Sequence, residues 1–303
     1  MRRLLTFALA GLVAQLIDGS LGMGYGVTST SVLLAAGMTP AVASASVHLA
    51  ELGTNVASGV SHWRLKNVDW WLVARLGVPG AVGSFLGATV LSRISTEAAQ
   101  PVMALILVSL GVFILSRFTW RPPQVATATT SPHGRRFLAP LGLLGGFVDA
   151  TGGGGWGPIS TTALVSAGRT SPRTVIGSVD TSEFLVSLAA SLGFLLSLGS
   201  TGVRLDLVLA LLAGGLVAAP VAAWLVSRIP AQVMGSLVGG FVVLTNLATL
   251  FRAFDVPGSA RLPITLLVLL AWAVAVGVGL RRLRRDRAEQ AETSVPDDHL
   301  VGV

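Results

Sequence analysis

Residues Gly145–Thr162 read G-G-F-V-D-A-T-G-G-G-G-W-G-P-I-S-T-T, with four consecutive glycines inside an otherwise apolar stretch. Residues Gly11–Thr30 read G-L-V-A-Q-L-I-D-G-S-L-G-M-G-Y-G-V-T-S-T and repeat the pattern 131 positions earlier, so that Asp18 matches Asp149. Each glycine inside a helix costs about 1 kcal/mol relative to alanine, so both stretches predict a helix that breaks. Interrupted helices at the start of each half of a chain are typical of duplicated membrane transporters.

The composition is that of an integral membrane protein. Of the 303 residues, 52% are hydrophobic and 12% are charged, whereas an ordinary soluble protein has roughly 25% charged residues. Charge-free runs such as 184–203, 207–227, 229–251 and 262–280 are long enough to cross a bilayer as helices. The net charge of +7 comes from loops and a tail. It therefore indicates membrane topology and lipid contact and not nucleic-acid binding.

We expect an all-α, polytopic membrane helical bundle of two repeated units with interrupted first segments, broken or re-entrant, plus one extra C-terminal helix. The predicted divisions are a first transmembrane repeat (1–116), a Pro/Thr/Arg-rich linker (117–136), a second transmembrane repeat (137–251), an extra transmembrane helix (252–280) and a basic then acidic disordered tail (281–303). Arginines beside the end of the extra helix favour a cytoplasmic C-terminus. The sequence leaves open whether the repeats are inverted or parallel.

A stripe of polar residues follows one face of a predicted helix in each half. The stripes, at spacings of three and four residues, are Ser44, His48, Glu51, Asn55, Ser58 and His62, and then Asp180, Glu183, Ser187 and Ser191. Ionisable groups inside a membrane span usually face the bundle interior and serve function. For Asn55 and Ser58 we favour hydrogen bonding between helices over contact with a substrate.

The two matched aspartates allow two interpretations. Asp18 and Asp149 each stand beside a glycine break, where an aspartate can cap the helix that follows. A buried carboxyl can also take up a proton and so couple transport to the proton gradient. Glu51 and Glu183 are alternative candidates for this second role.

Three runs resemble the TauE/SafE family of sulfite exporters: G-F-V-D-A-T-G-G-G-G-W-G-P at 146–158, P-R-T-V-I-G-S-V-D-T-S-E-F at 172–184 and S-G-V-S-H-W-R-L-K-N-V-D at 58–69. The resemblance covers about residues 4–251. It implies a multi-pass, bacterial-type plasma-membrane protein of duplicated multi-helix units. It also implies that the cargo is a small sulfur oxyanion or organosulfonate, moved typically outward.

The chemistry of the glycine breaks suits such an anion. Half-helix N-termini supply amides and a partial positive charge, and glycine permits close approach to them. The candidate substrate-binding residues are Gly22, Gly24, Tyr25, Gly26, Ser29, Thr30, Gly152, Gly153, Gly154, Gly155, Trp156, Gly157, Ser160 and Thr161. The candidate coupling residues are Asp18, His48, Glu51, Asn55, Asp149, Asp180 and Glu183.

We therefore expect a transporter for sulfite or a related small anion, working by alternating access, with protons as a candidate coupling partner. No cofactor, metal site or nucleic-acid partner is expected, the lipid bilayer surrounds the protein, and homo-oligomers are compatible with the sequence. One alternative is a divalent metal-ion transporter that uses His48 and Glu51. A second is an intramembrane enzyme, which the absence of an H-E-x-x-H run disfavours.

Overall fold

The computed structural model describes residues 2–21, 23–120, 127–199, 203–225 and 231–293. The regular structure of these residues is helical throughout. The helices are α1 (Arg2–Leu21), α2 (Tyr25–Ala35), α3 (Pro40–Arg64), α4 (Trp70–Arg93), α5 (Thr96–Trp120), α6 (Arg135–Gly152), α7 (Thr162–Ser166), α8 (Pro172–Leu198), α9 (Leu205–Leu225), α10 (Ala231–Ala253) and α11 (Gly258–Thr293). A π-helical turn, Gly157–Thr161, leads directly into α7. The predicted all-helical class is confirmed.

Five helices of the described residues are long and apolar enough to cross a membrane. They are α4, α5, α8, the part Gly235–Ala253 of α10 and the part Gly258–Arg282 of α11. Helix α3 has 25 residues, which gives it a length of about 37 Å. It is long enough to cross as well, but its polar stripe lowers its hydropathy.

The linker side of the molecule, here called the linker face, is defined by hydrogen bonds between loops and helix ends. Ser131 N–H donates to Asp69 Oδ2 (2.8 Å) and Ser171 N–H donates to Ala128 O (2.8 Å). Arg282 Nη1 of α11 donates to Trp120 O at the end of α5 (3.1 Å). The linker, the α3–α4 loop, the start of α8, the end of α5 and the last part of α11 therefore gather at one face.

Each interrupted segment begins and ends at a single face. At the face opposite the linker, one cavity is lined by Phe7 of α1, Ala36 after α2 and Leu207 of α9. Helix α6 begins directly after the linker, and Ser166 at the end of α7 lines a cavity with Trp120. The first segment therefore begins and ends at the face opposite the linker, and the second begins and ends at the linker face.

The two halves of the chain interlock. Helix α1 packs along α9, and α6 packs along α4, so the first helix of each half lies against a helix of the other half. Glycines make these contacts close, because a Cβ on Gly146 would overlap Gly80 O and a Cβ on Gly11 would overlap Leu211 O. Small residues let membrane helices approach in this way.

The structure differs from the predicted divisions near the C-terminal end of the described residues. Residues 281–293, predicted as part of a disordered tail, continue α11 as helix to Thr293, since the charged run A-E-Q-A-E-T lacks glycine and proline. Residues 294–303 and linker residues 121–126 lie outside the described residues. The duplication of the two halves stays a prediction.

Candidate functional site: two glycine breaks and a buried carboxyl cluster

Helices α3 and α8 pack side by side, and their polar stripes face each other along a line here called the α3–α8 seam. At its centre, Asn55 Nδ2 lies 3.4 Å from Ser187 Oγ. Seven residues away in each direction, His62 Nε2 lies 3.5 Å from Asp180 Oδ2, and the His48 ring stacks on Phe194 at 6.2 Å. Seven residues are about two helical turns, so the pairing is that of two antiparallel helices. The predicted inward stripes do face the interior.

The second glycine break is closed by Asp149. Its Oδ1 accepts hydrogen bonds from Gly155 N (2.7 Å) and Trp156 N (3.0 Å), the amides that open the π-helical turn. Gly153 and Gly154 take φ values of 69° and 145°, in the region that favours glycine. These hydrogen bonds are those of a helix cap, the first of the two interpretations of Asp149.

The first glycine break has a weaker version of the same cap. Asp18 Oδ1 accepts from Tyr25 N at 3.4 Å, and Gly24 before it has a φ of 128°. Gly22, predicted to belong to the site, lies outside the described residues.

The two breaks meet inside the bundle. An ideal Cβ on Gly26 would lie 2.7 Å from Gly154 Cα, and one on Gly154 would overlap Val27 N. Thr30 Oγ1 donates to Gly153 O at 2.5 Å. The two predicted halves of the site therefore touch through main-chain atoms, and larger residues would separate them.

Buried hydroxyl groups follow both breaks at matched positions. Ser29 and Ser160 are 131 residues apart and both fully buried, and within the described residues neither hydroxyl has a hydrogen-bond partner. Thr28 Oγ1 lacks a described partner as well. A buried hydroxyl without a partner is costly, so these groups are candidates to bind a ligand or water. Thr161 is also buried in this turn.

The two aromatic residues of the breaks have other partners. Trp156 Nε1 donates to Val179 O at 3.1 Å, and Tyr25 Oη donates to Leu211 O at 3.3 Å. Each polar tip thus ties its half-helix to a neighbouring helix. The predicted substrate-binding residues Tyr25 and Trp156 therefore direct their polar donors to main-chain acceptors.

Glu51 and His48 connect the seam to the second break. His48 Nδ1 lies 2.9 Å from Glu51 Oε2 and 3.8 Å from Asp149 Oδ2. Ser187 Oγ donates to Glu51 Oε2 at 3.1 Å. Glu51 Oε1, Asp149 Oδ2 and His48 Nε2 are buried and accept or donate no hydrogen bond among the described residues.

A second group of acids lies beside the first break. Carboxylate oxygens of Asp18, Asp180 and Glu183 lie within 4.8 Å of one another. Ser58 Oγ donates to Asp180 Oδ2. Five acidic side chains therefore share this interior, and their ion pairs in the described part of the chain are with His48 and His62. Such a cluster can hold all its acids only if protons or cations balance the charge.

The structure brings nearly all of the predicted residues together, but one contributor was missed. Asn246 of α10 is fully buried, and its Nδ2 donates to Ser31 Oγ of α2 at 2.8 Å. It supports the half-helix behind the first break. In the sequence, the position of Asn246 inside the charge-free apolar run 229–251 could have indicated that its side chain bonds to another helix.

These features define a class of protein. Membrane-length apolar helices and helices broken by glycine around a buried polar core are typical of a multi-pass membrane transporter. The chain belongs to the sulfite exporter TauE/SafE family, whose model matches residues 7–249. The resemblance seen in the sequence is thereby confirmed, and the protein is a transporter and not an enzyme.

A curated relative agrees with this assignment. The protein named "Probable membrane transporter protein YtnM" from Bacillus subtilis (strain 168) is 53% identical over 252 residues, which cover 83% of this chain and 84% of that protein. No solved structure matches the chain.

Proposed function

We propose that this transporter exports sulfite or a related small sulfur oxyanion or organosulfonate across the bacterial plasma membrane. The observation that carries the proposal is the meeting of the two glycine breaks at Gly26 and Gly154, with the buried hydroxyls of Ser29 and Ser160 on the turns that follow. Half-helix N-termini favour anions. An oxyanion needs several convergent donors, and this is where the chain provides them.

Proton coupling follows from the capping aspartates. The Asp149 carboxylate holds the Gly155 and Trp156 amides, which an anion would also need. A protonated carboxyl is a weaker acceptor than a carboxylate, so proton uptake by Asp149 loosens its hold on these amides. An anion and a proton then occupy the site together, and the gradients of both set the direction of net transport.

The re-entrant segments support alternating access. They enter from opposite faces and overlap where Thr30 meets Gly153, so a movement of one half against the other would open the overlap to one face at a time. In this proposal the two halves are inverted repeats. Seam residues such as Asn55 and Ser187 lie at the centre of the movement.

The distribution of basic residues supports an orientation. In the described chain, the linker face carries Arg64, Lys66, Arg117, Arg135, Arg136, Arg169, Arg173, Arg281, Arg282 and Arg284 by position, whereas the opposite face carries Arg2, Arg3, Arg93, Arg204, Arg252 and Arg261. Basic loops stay preferentially in the cytoplasm. We therefore assign the linker face and the C-terminal end of α11 to the cytoplasm.

One observation favours a second candidate function. The carboxylates of Asp18, Asp180 and Glu183 are spaced closely enough to bind a divalent cation. The pair considered from sequence is less suitable, because His48 Nδ1 is already bonded to Glu51. A cation transporter would use the same interior with the opposite charge preference.

Flux through purified protein in liposomes tests the proposal. Sulfite, sulfate, sulfoacetate and Mn²⁺ are offered separately, with and without a pH gradient, and protein-free liposomes measure passive leakage. We expect saturable movement of sulfite or the sulfonate that responds to the gradient. Saturable Mn²⁺ flux without anion flux would instead establish the second candidate.

A further inference from the structure

We infer that the cavity between α5 and α7 is the entrance through which the anion reaches the second glycine break from the linker face, and that Arg117 binds the anion there before it is transported. The inference rests on the proposed function, in which the cargo is an anion. It adds to that function an outer binding site and a route from the cytoplasm to the interior.

The cavity extends from the linker face to about the middle of the membrane. Its volume is about 840 Å³, and on α5 its lining runs from Ser109 to Trp120. These two residues are eleven positions apart, which is about 16 Å of helix. The hydrocarbon core of a bilayer is about 30 Å thick. A small anion in this cavity would therefore have passed roughly half of the membrane.

The inner end of the cavity is the turn that follows the second glycine break. Ile159 of the π-helical turn lines it, and Ile159 N donates to Gly155 O at 2.9 Å. The amides of Gly155 and Trp156 are those that Asp149 caps and that the proposed function offers to the anion. The cavity therefore ends one helical turn from the proposed binding site.

Hydroxyl groups lie along both walls of the cavity. Ser109 and Ser116 are seven residues apart and share one face of α5. Thr162 and Ser166 are four residues apart and share one face of α7. In a membrane protein, polar side chains on one face of a helix favour water or another helix over lipid. The two rows of hydroxyls therefore indicate a path that holds water.

Arg117 gives the cavity a positive charge near its mouth. Among the described residues that line the cavity, Arg117 is the one with an ionisable side chain, and it lies one helical turn before Trp120. A guanidinium presents a planar fork of donors that suits oxyanions. A cleft lined by charge of one sign also raises the local concentration of ions of the other sign. This mouth therefore gathers anions and repels cations.

The cavity described at the opposite face differs in charge and depth. Its volume is about 360 Å³, and its lining includes both Arg204 and Asp206, which pair through two hydrogen bonds of 2.9 and 2.7 Å. On α2 it reaches Val32, which the 131-residue shift matches to Ala163. The linker-face cavity reaches Ile159, about one turn deeper. An unbalanced positive charge and a deep path thus occur together at the linker face.

Cysteine labelling tests the entrance without any substrate. The chain contains no cysteine, so a single cysteine introduced into the full chain reports access to water without background. Two membrane-impermeant methanethiosulfonates, one carrying a sulfonate and one a trimethylammonium group, are added to inside-out membrane vesicles, whose outer surface is the cytoplasmic one. We expect Ser109→Cys to react about tenfold faster with the sulfonate reagent, after correction for the rates of both reagents with a free thiol.

Val112→Cys is the matched control for access. Val112 is exposed on the same helix and nearer the linker face, but it is not among the residues that line the cavity, so it faces lipid. This cysteine should react far more slowly than the one at position 109. Equal rates at the two positions would overturn the inference, because the cavity would then give no access beyond that of the lipid-facing side of α5.

Arg117 is tested by its own substitutions in the Ser109→Cys background. Arg117→Gln should remove the preference for the sulfonate reagent, whereas Arg117→Lys should keep most of it. For sulfite uptake by the same vesicles, Arg117→Gln should raise KM about tenfold with little change in maximal rate. The difference in KM should shrink at high salt. Arg135→Gln, which removes an exposed arginine of the linker face outside the cavity lining, should match the parent.

The outcomes separate the entrance from the proposed function. A sulfonate preference that persists in Arg117→Gln, or a preference for the trimethylammonium reagent, would overturn the inference even if the parent transports sulfite. Selective labelling that depends on Arg117, in a parent without sulfite flux, would support the anion entrance and reject sulfite as the cargo.

Discussion

The two glycine breaks use the same plan with different strength. In the second, Asp149 accepts two amide hydrogen bonds at 2.7 and 3.0 Å, whereas in the first Asp18 accepts one at 3.4 Å. Asp18 lies beside Asp180 and Glu183, and Asp149 lies beside His48. In the proposed function, we assign anion binding to the second break, whose amides are held by the stronger cap.

The largest effect is expected from the contact between the breaks. Gly154→Leu puts a side chain at a φ of 145° and against Val27 N, which would force the breaks apart and abolish transport. The measurement is sulfite flux alongside membrane expression. Gly37→Leu is the matched control, since its φ is 87° but nothing lies within 4 Å of a Cβ, and its flux should be near that of the parent. Normal flux in Gly154→Leu would refute the site.

The next largest effect is expected on the pH dependence of flux, and it should differ between substitutions of Asp149 and Asp18. Asparagine is as good a cap as aspartate but cannot ionise, so Asp149→Asn should keep its fold and lose the pH dependence of flux. Asp18→Asn should retain a pH dependence, because its cap holds a single amide. The test is flux against pH for both variants. Equal behaviour of the two would show that the breaks do not differ in role.

Removal of the matched hydroxyls of Ser29 and Ser160 is expected to change KM, by about tenfold for the larger effect. A hydrogen bond to a charged group contributes about 1.5–3 kcal/mol, so Ser160→Ala should raise KM about tenfold or more and Ser29→Ala should do so by less. Neither hydroxyl has a described protein partner to lose, so the melting temperature should stay level or rise. A lower melting temperature with unchanged KM would make these serines structural.

The smallest effect is expected at Glu183. This side chain is one of five acids in the interior, so Glu183→Gln should flatten the pH profile while changing maximal flux by less than about tenfold. Ser191→Ala, on the same helix and stripe, is the control. A pH profile identical to the parent's would assign Glu183 to packing.

Much of the fold could be read from the sequence because the signals were local. Charge-free runs marked the apolar helices, the glycine run marked the second break, and spacings of three and four residues put Glu51 and Glu183 on inward faces. The caps by Asp18 and Asp149 followed from their positions beside glycine. Helix-breaking residues and periodic polarity act within a few turns, so one sequence is enough to find them.

The remaining features depend on contacts between distant segments. The hydrogen bond from Thr30 to Gly153 joins residues 123 positions apart, and no local pattern indicates it. The partners of Trp156 Nε1 and Tyr25 Oη, both main-chain carbonyls, depend in the same way on how helices pack. The sequence predicts disorder from residue 281, whereas α11 continues to Thr293, because a charged run without glycine or proline is compatible with a helix.

Calorimetric titration of sulfite into the purified protein, in buffers of different ionisation enthalpy, tests the central claim that anion and proton bind together at the glycine breaks. Titration of Asp149→Asn under the same conditions corrects for protons taken up by sulfite itself. The account predicts that the parent takes up about one proton more per sulfite than the variant, with tighter binding as pH falls. Equal proton uptake by parent and variant, with sulfite bound by both, would contradict it.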